Sequence, residues 1–139
     1  MERLRRASAI VSISRDIDEL FERFFGASES NAVWEPPVDL FVSEQKVYLV
    51  AEVPGVAGSE IHVRVGTRAV QVLGIKRPPD KVRRGVTFYE SQIPYGGFEK
   101  RVSLPFPVKP DSIKVEFKNG VLSLELDRAG GGVRMIRIE

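Results

Sequence analysis

From Trp34 onward the chain is a succession of short runs rich in Val, Ile, Phe and Tyr, bounded by Gly, Pro, Asn or Asp. The runs are VDLFV (38–42), KVYLVAEV (46–53), EIHVRV (60–65), AVQVLGI (69–75), VTFYES (86–91), KRVSL (100–104), IKVEF (113–117) and VLSLEL (121–126). β-branched and aromatic residues favour extended backbone, and runs this short suit strands better than helices. Several alternate strictly, with Ile61, Val63 and Val65 pointing one way and His62 and Arg64 the other. Asn119-Gly120 between two such runs is the signature of a type I′ hairpin, whose two central residues both need positive φ. Eight short strands with no crossover helices between them predict an all-β, antiparallel β-sandwich.

The first 33 residues obey a different period. In RDIDELFERFFG, Ile17, Leu20, Phe21, Phe24 and Phe25 fall on one helical face. Asp16 is placed to cap the N-terminus with Glu19 as its capping-box partner, and Gly26 to end the helix. The spacing therefore predicts an amphipathic helix over about 16–25 within an N-terminal arm. Its apolar face packs either on its own domain or on another chain or unfolded client. At the other end, GGGVRMIRIE sets Ile136 and Ile138 beyond three glycines. The chain thus divides into an arm (1–33), a sandwich (34–128) and a Gly-rich C-terminal extension (129–139) predicted to be flexible. The alternative is that residues 133–138 add a last strand to their own sandwich.

Composition excludes several functions. The chain of 139 residues has no cysteine, so neither a disulfide framework nor a thiolate metal site is possible. His62 is the one histidine, mid-strand and expected to face solvent, which makes a zinc site implausible. There is no G-x-S-x-G elbow, AGGGVR lacks the Lys-Ser/Thr of a P-loop, and the carboxylates are scattered. An enzyme is not expected, nor any cofactor or metal. The basic stretch KRPPDKVRRG (Lys76, Arg77, Lys81, Arg83, Arg84) is broken by Pro78-Pro79-Asp80 and has no interleaved aromatic platform. With a net charge of only +2, no nucleic-acid partner is expected. No apolar run approaches the about 18 residues of a membrane span. The opening MERLRRASAIVSISRD is too short and too broken by serines for a secretory signal, while its Arg- and Ser-rich character leaves an organellar transit peptide open. A cytoplasmic location is the default.

Landmarks spread over residues 34–138 resemble the small heat-shock protein family, the α-crystallin-domain chaperones. Trp34, Pro36 and Asp39 match its W-x-P-x-x-D opening, and VPGV (53–56) its P-G-V turn. Glu90, Gly96, Phe98 and Leu104-Pro105 match its E-R-x-x-G-x-F-x-R…L-P segment, NGVL (119–122) its hairpin, and Ile136-Arg137-Ile138 its C-terminal I-x-I. Ser91 and Lys100 stand where the family has arginine, Val115 where it has alanine, and QIPY lengthens the link to Gly96 by two residues. Lysine cannot form the bidentate fork of arginine with a carboxylate.

The resemblance implies an immunoglobulin-like sandwich and an ATP-independent holdase that keeps partly unfolded client proteins from aggregating. It implies homodimers that assemble into a larger homo-oligomer, with ATP-dependent chaperones as refolding partners. Val86, Phe88, Tyr89 and Glu90 would form the strand that crosses to the neighbouring subunit. Ile136 and Ile138 would plug a groove lined by Ile61, Val63, Val65, Ile113, Val115 and Phe117. The helical face (Ile17, Leu20, Phe21, Phe24, Phe25) would meet clients or other subunits. A monomeric CS-type co-chaperone or protein-binding β-sandwich module is the competing reading, and size in solution separates the two.

Overall fold

The computed structural model describes residues 2–6, 9–13 and 34–130. Among these are nine strands: β1 (Glu2–Arg6), β2 (Ala9–Ile13), β3 (Val38–Val42), β4 (Lys46–Glu52), β5 (Ile61–Val65), β6 (Ala69–Lys76), β7 (Gly96–Ser103), β8 (Lys114–Lys118) and β9 (Val121–Asp127). They form two sheets, ordered β1-β2-β5-β6-β7 and β3-β4-β9-β8. Short 3₁₀ turns at Gly58–Glu60 and Pro110–Ser112 lead into β5 and β8. The sandwich expectation is met.

Period-two alternation builds the core between the sheets. Val47, Leu49 and Ala51 of β4 and Leu122, Leu124 and Leu126 of β9 turn inward from one sheet. Ile61, Val63 and Val65 of β5, Val70 and Val72 of β6, and Phe98 of β7 meet them from the other. His62 and Arg64 are exposed, as the alternation requires. Each buried Val, Leu or Phe contributes about 1.5–3 kcal/mol, so this interface carries the fold. Phe98 lies opposite Gly74 on β6, and a Cβ on Gly74 would stand 2.6 Å from the Phe98 ring. Gly74 is therefore the space into which the largest buried side chain packs.

One of the eight runs forms no strand here, and another differs in extent from the sequence expectation. VTFYES does not form a strand within its own chain; residues 77–95 run as a loop from β6 to β7. KRVSL is the second half of a longer strand that begins at Gly96, so the break before it is Gln92–Tyr95 and the two glycines lie inside β7. Trp34 explains the extension. Its backbone N–H donates to the Gly97 carbonyl, its own carbonyl accepts from the Glu99 N–H (both 3.3 Å), and its indole Nε1–H donates to the Gly96 carbonyl at 3.2 Å. The Trp34 ring leans on Phe98, with centroids 5.1 Å apart.

The N-terminal strands β1 and β2 were not legible as strands, and they bring one departure from antiparallel order. β2 runs parallel to β5, while every other pairing of strands is antiparallel. The helix expected over about 16–25 and the tail beyond Gly130 lie outside the described residues.

Candidate functional site

The hairpin between β8 and β9 anchors one end of the sandwich. Asn119 and Gly120 have φ of 54° and 77°, the pair of positive values that a type I′ turn demands. The Gly120 carbonyl accepts from the Val53 N–H at 2.8 Å, and a Cβ on Gly120 would stand 2.8 Å from Pro54 Cα. VPGV and NGVL, far apart in sequence, thus form one contact.

The outer face of the β3-β4-β9-β8 sheet is polar and tied down. Lys46 Nζ donates to Glu125 Oε2 at 3.1 Å and to Asp127 Oδ1 at 3.0 Å, and Lys114 Nζ stands 3.6 Å from Glu125. The hydrogen bonds to Asp127 and Glu125 hold the Lys46 ammonium above its ordinary pKa. The same bonds hold Glu125 and Asp127 below theirs. On the opposite sheet Gln71, Glu99 and Arg101 form a side-chain network. Lys100, where the resemblance called for arginine, makes one 3.9 Å contact with the exposed Glu35.

Against this polar surface, the exposed large hydrophobic side chains among the described residues are Phe41, Val42, Val86, Phe88, Tyr89 and Ile93. They fall in two places. Phe41 and Val42 end β3, an edge strand whose Phe41 stacks on Tyr48 with centroids 5.2 Å apart. The other four lie on the 77–95 loop, where Tyr89 is 96% exposed. Glu90 on that loop is exposed too. Within the loop the backbone hydrogen bonds are local turns, Val82 N–H to Pro79 and Val86 N–H to Arg83. Arg77 pairs with Glu60 at 3.2 Å, and the Lys76 ammonium lies 5.9 Å from both the Trp34 and Tyr95 rings. These contacts hold the loop at its base and leave its apolar middle uncovered.

Of the residues expected to line the tail groove, Ile61, Val63, Val65, Ile113 and Val115 are buried, and Phe117 is partly buried against the core. β5 and β8 are on different sheets: β8 is the edge of its own, and β5 lies between β2 and β6 in the other. β2 therefore stands where the sequence left β5 without a neighbour. Val11 of β2 is fully buried in the same core, and β2 touches β8 as well as pairing with β5. This residue was missed in the sequence. The signal was present in Val11-Ser12-Ile13, which repeats the aliphatic-x-aliphatic spacing of Ile136-Arg137-Ile138.

The root of the tail is fixed. The Arg128 N–H donates to the Gln45 carbonyl and the Ala129 N–H to the Pro107 carbonyl, each at 2.8 Å. The Arg128 guanidinium covers the Phe106 ring at 3.6 Å and donates to the carbonyls of Ser43 (3.4 Å) and Glu44 (3.0 Å). Gly130, the last described residue, has a φ of 73°, in the left-handed region that favours glycine. Among the described residues no group of three His, Cys, Asp or Glu could hold a metal, and no helix is long and apolar enough to cross a membrane.

This two-sheet β-sandwich is of the α-crystallin-domain class, as its match to a family shows. The chain matches the Hsp20/alpha crystallin family over residues 39–139 and belongs to that family. It is 30% identical over 93 residues to a probable 15 kDa heat shock protein of Leptospira interrogans, covering 67% of this chain and 69% of that one. It is 24% identical over 120 residues to small heat shock protein C4 of Rickettsia felis, covering 81% and 73%. Among solved structures, a small heat-shock protein from Xylella fastidiosa superposes with a TM-score of 0.61 at 28% identity, over 78% of this chain and 99% of that one. HSP18.5 from E. histolytica superposes at 0.62 with 27% identity, over 77% and 99%. The protein is accordingly a chaperone of the small heat-shock type and not an enzyme.

Proposed function

We propose that the protein is an ATP-independent holdase that binds partly unfolded proteins and works as a dynamic oligomer of strand-exchanged dimers. The observation that carries this reading is the 86–91 segment. Val86, Phe88 and Tyr89 are exposed on a loop that pairs with no strand of its own chain, while β3 offers a free, partly apolar edge. An extended segment without a partner and an edge without a neighbour complement each other by β-augmentation. The partner's 86–91 segment therefore adds to the sheet at β3 of each subunit.

Dimers are joined by their tails. Ile136 and Ile138 enter the groove between β5 and β8, where Ile61, Val63, Val65, Ile113, Val115 and Phe117 supply the apolar floor. Each isoleucine contributes about 1.5–3 kcal/mol, opposed by about 1–2 kcal/mol for every tether residue ordered. One tail docks weakly; many tails in one assembly dock tightly through effective concentration. Released tails and the apolar arm face (Ile17, Leu20, Phe21, Phe24, Phe25) then bind clients in the cytoplasm, and ATP-dependent chaperones refold them.

Light scattering of a heat-aggregating client without nucleotide tests the activity, and sedimentation the assembly. The wild type is expected to suppress scattering and to run as a large species, and Ile136→Ala/Ile138→Ala to run as dimers. A wild-type protein that sediments as a 15.5 kDa monomer would overturn this reading in favour of a monomeric adaptor.

A further inference from the structure

β2 already lies on the edge of β5 to which the tail is assigned. The register pairs Ile10 with His62, Val11 with Val63, Ser12 with Arg64 and Ile13 with Val65. Val11 is fully buried and joins Ile61, Val63, Val65, Ile113 and Val115 in one core. Positions 11 and 13 share a face of a period-two strand, as positions 136 and 138 would in an extended tail. Each pair is split by one polar residue, Ser12 or Arg137. An edge strand exposes a single row of free N–H and C=O groups, so β5 accepts one of these segments at a time.

We propose that β2 is a built-in occupant of the docking edge, and that the N-terminal hairpin competes for β5 with the tail of a second copy of this chain. The proposal rests on the reading of the tail as a plug. While β2 is docked, β1 becomes the outer edge of that sheet. With Arg3, Arg5 and Arg6 among its five residues, β1 is a charged edge of the kind that resists further strand addition. Undocking β2 opens β5 and releases the β1-β2 hairpin in the same step. Because coupling between two binding events is reciprocal, a docked tail also favours the undocked arm. Assembly through tails and release of the N-terminal hairpin are then linked rather than opposed.

The test uses full-length protein carrying Ile136→Ala/Ile138→Ala, so that its own tails leave the edges alone, and a fluorescein-labelled GGGVRMIRIE peptide as probe. The chain has no cysteine, so Ser12→Cys/Arg64→Cys can be added at facing positions of β2 and β5. Oxidation is expected to lock β2 in place and weaken peptide binding about tenfold or more, with full recovery on reduction. Val11→Ser, which loosens β2 without a cross-link, is expected to bind the peptide severalfold more tightly than its parent. Equal binding by oxidised and reduced protein would overturn the competition and leave the tail reading intact. Failure of the folded protein to form the cross-link would remove β2 from the edge and overturn it as well. If no form binds the peptide, Val11→Ser included, the tail reading itself fails and the competition with it.

Discussion

Gly120 shows how much one residue can be made to do. Its positive φ is set by the two-residue turn, which Asn119-Gly120 announces locally. That its missing Cβ also makes room for Pro54 is not local, since the contact joins positions far apart in the chain. Gly74 is similar: nothing in AVQVLGI says that the Phe98 ring will fill its place. Lys46 was equally silent in sequence, because its two partners lie on β9. Its clasp has a pH signature. Glu125 and Asp127 are held below their ordinary values of 4.5 and 3.8, so their contribution is present above those values and is lost as pH falls through the folded-state pKa. Lys46 is held above 10.5, so its share is lost only in strong base. The melting temperature of wild type should therefore exceed that of Lys46→Met at neutral pH, and the gap should close as pH falls through the lowered carboxylate pKa values. A gap that persists in acid would show that packing of the lysine stem, and not charge, sets it.

At the scale of elements, seven of the eight predicted runs are strands, and the eighth is the informative one. VTFYES has every local property of a strand, yet strand formation needs a neighbour, and the described residues of its own chain provide none. Its apolar side chains lie outside the core, so replacing them removes little from the folded subunit. Phe88→Asp/Tyr89→Asp is expected to unfold within about 0.5 kcal/mol of wild type under dissociating conditions. At assay concentrations the same variant should sediment as monomer where wild type is at least dimeric. A dimer that survives these two charges would place the subunit contact elsewhere. β2 is the converse case. AIVSI is short and broken by serine, so its pattern alone does not raise it above its surroundings, and pairing with β5 is what makes it a strand. β7 gained its first residues in the same way, from the backbone bridge to Trp34.

Over the whole molecule, two kinds of contact of unequal size hold the proposed assembly: a strand exchanged between subunits and a pair of isoleucines on a tether. The smaller should give first. Dilution is expected to take the oligomer to dimers before any monomer appears, and a sedimentation series over a wide concentration range would see the two steps. Direct dissociation to monomers would mean that the tail grips at least as hard as the exchanged strand. The sandwich, its inward faces and the hairpin were settled by sequence, because period-two alternation and turn residues are properties of neighbours in the chain. The occupant of the β5 edge was decided only in three dimensions. Val11-Ser12-Ile13 and Ile136-Arg137-Ile138 carry the same local pattern, and a row of unpaired backbone groups selects between them by which segment the rest of the fold delivers to it.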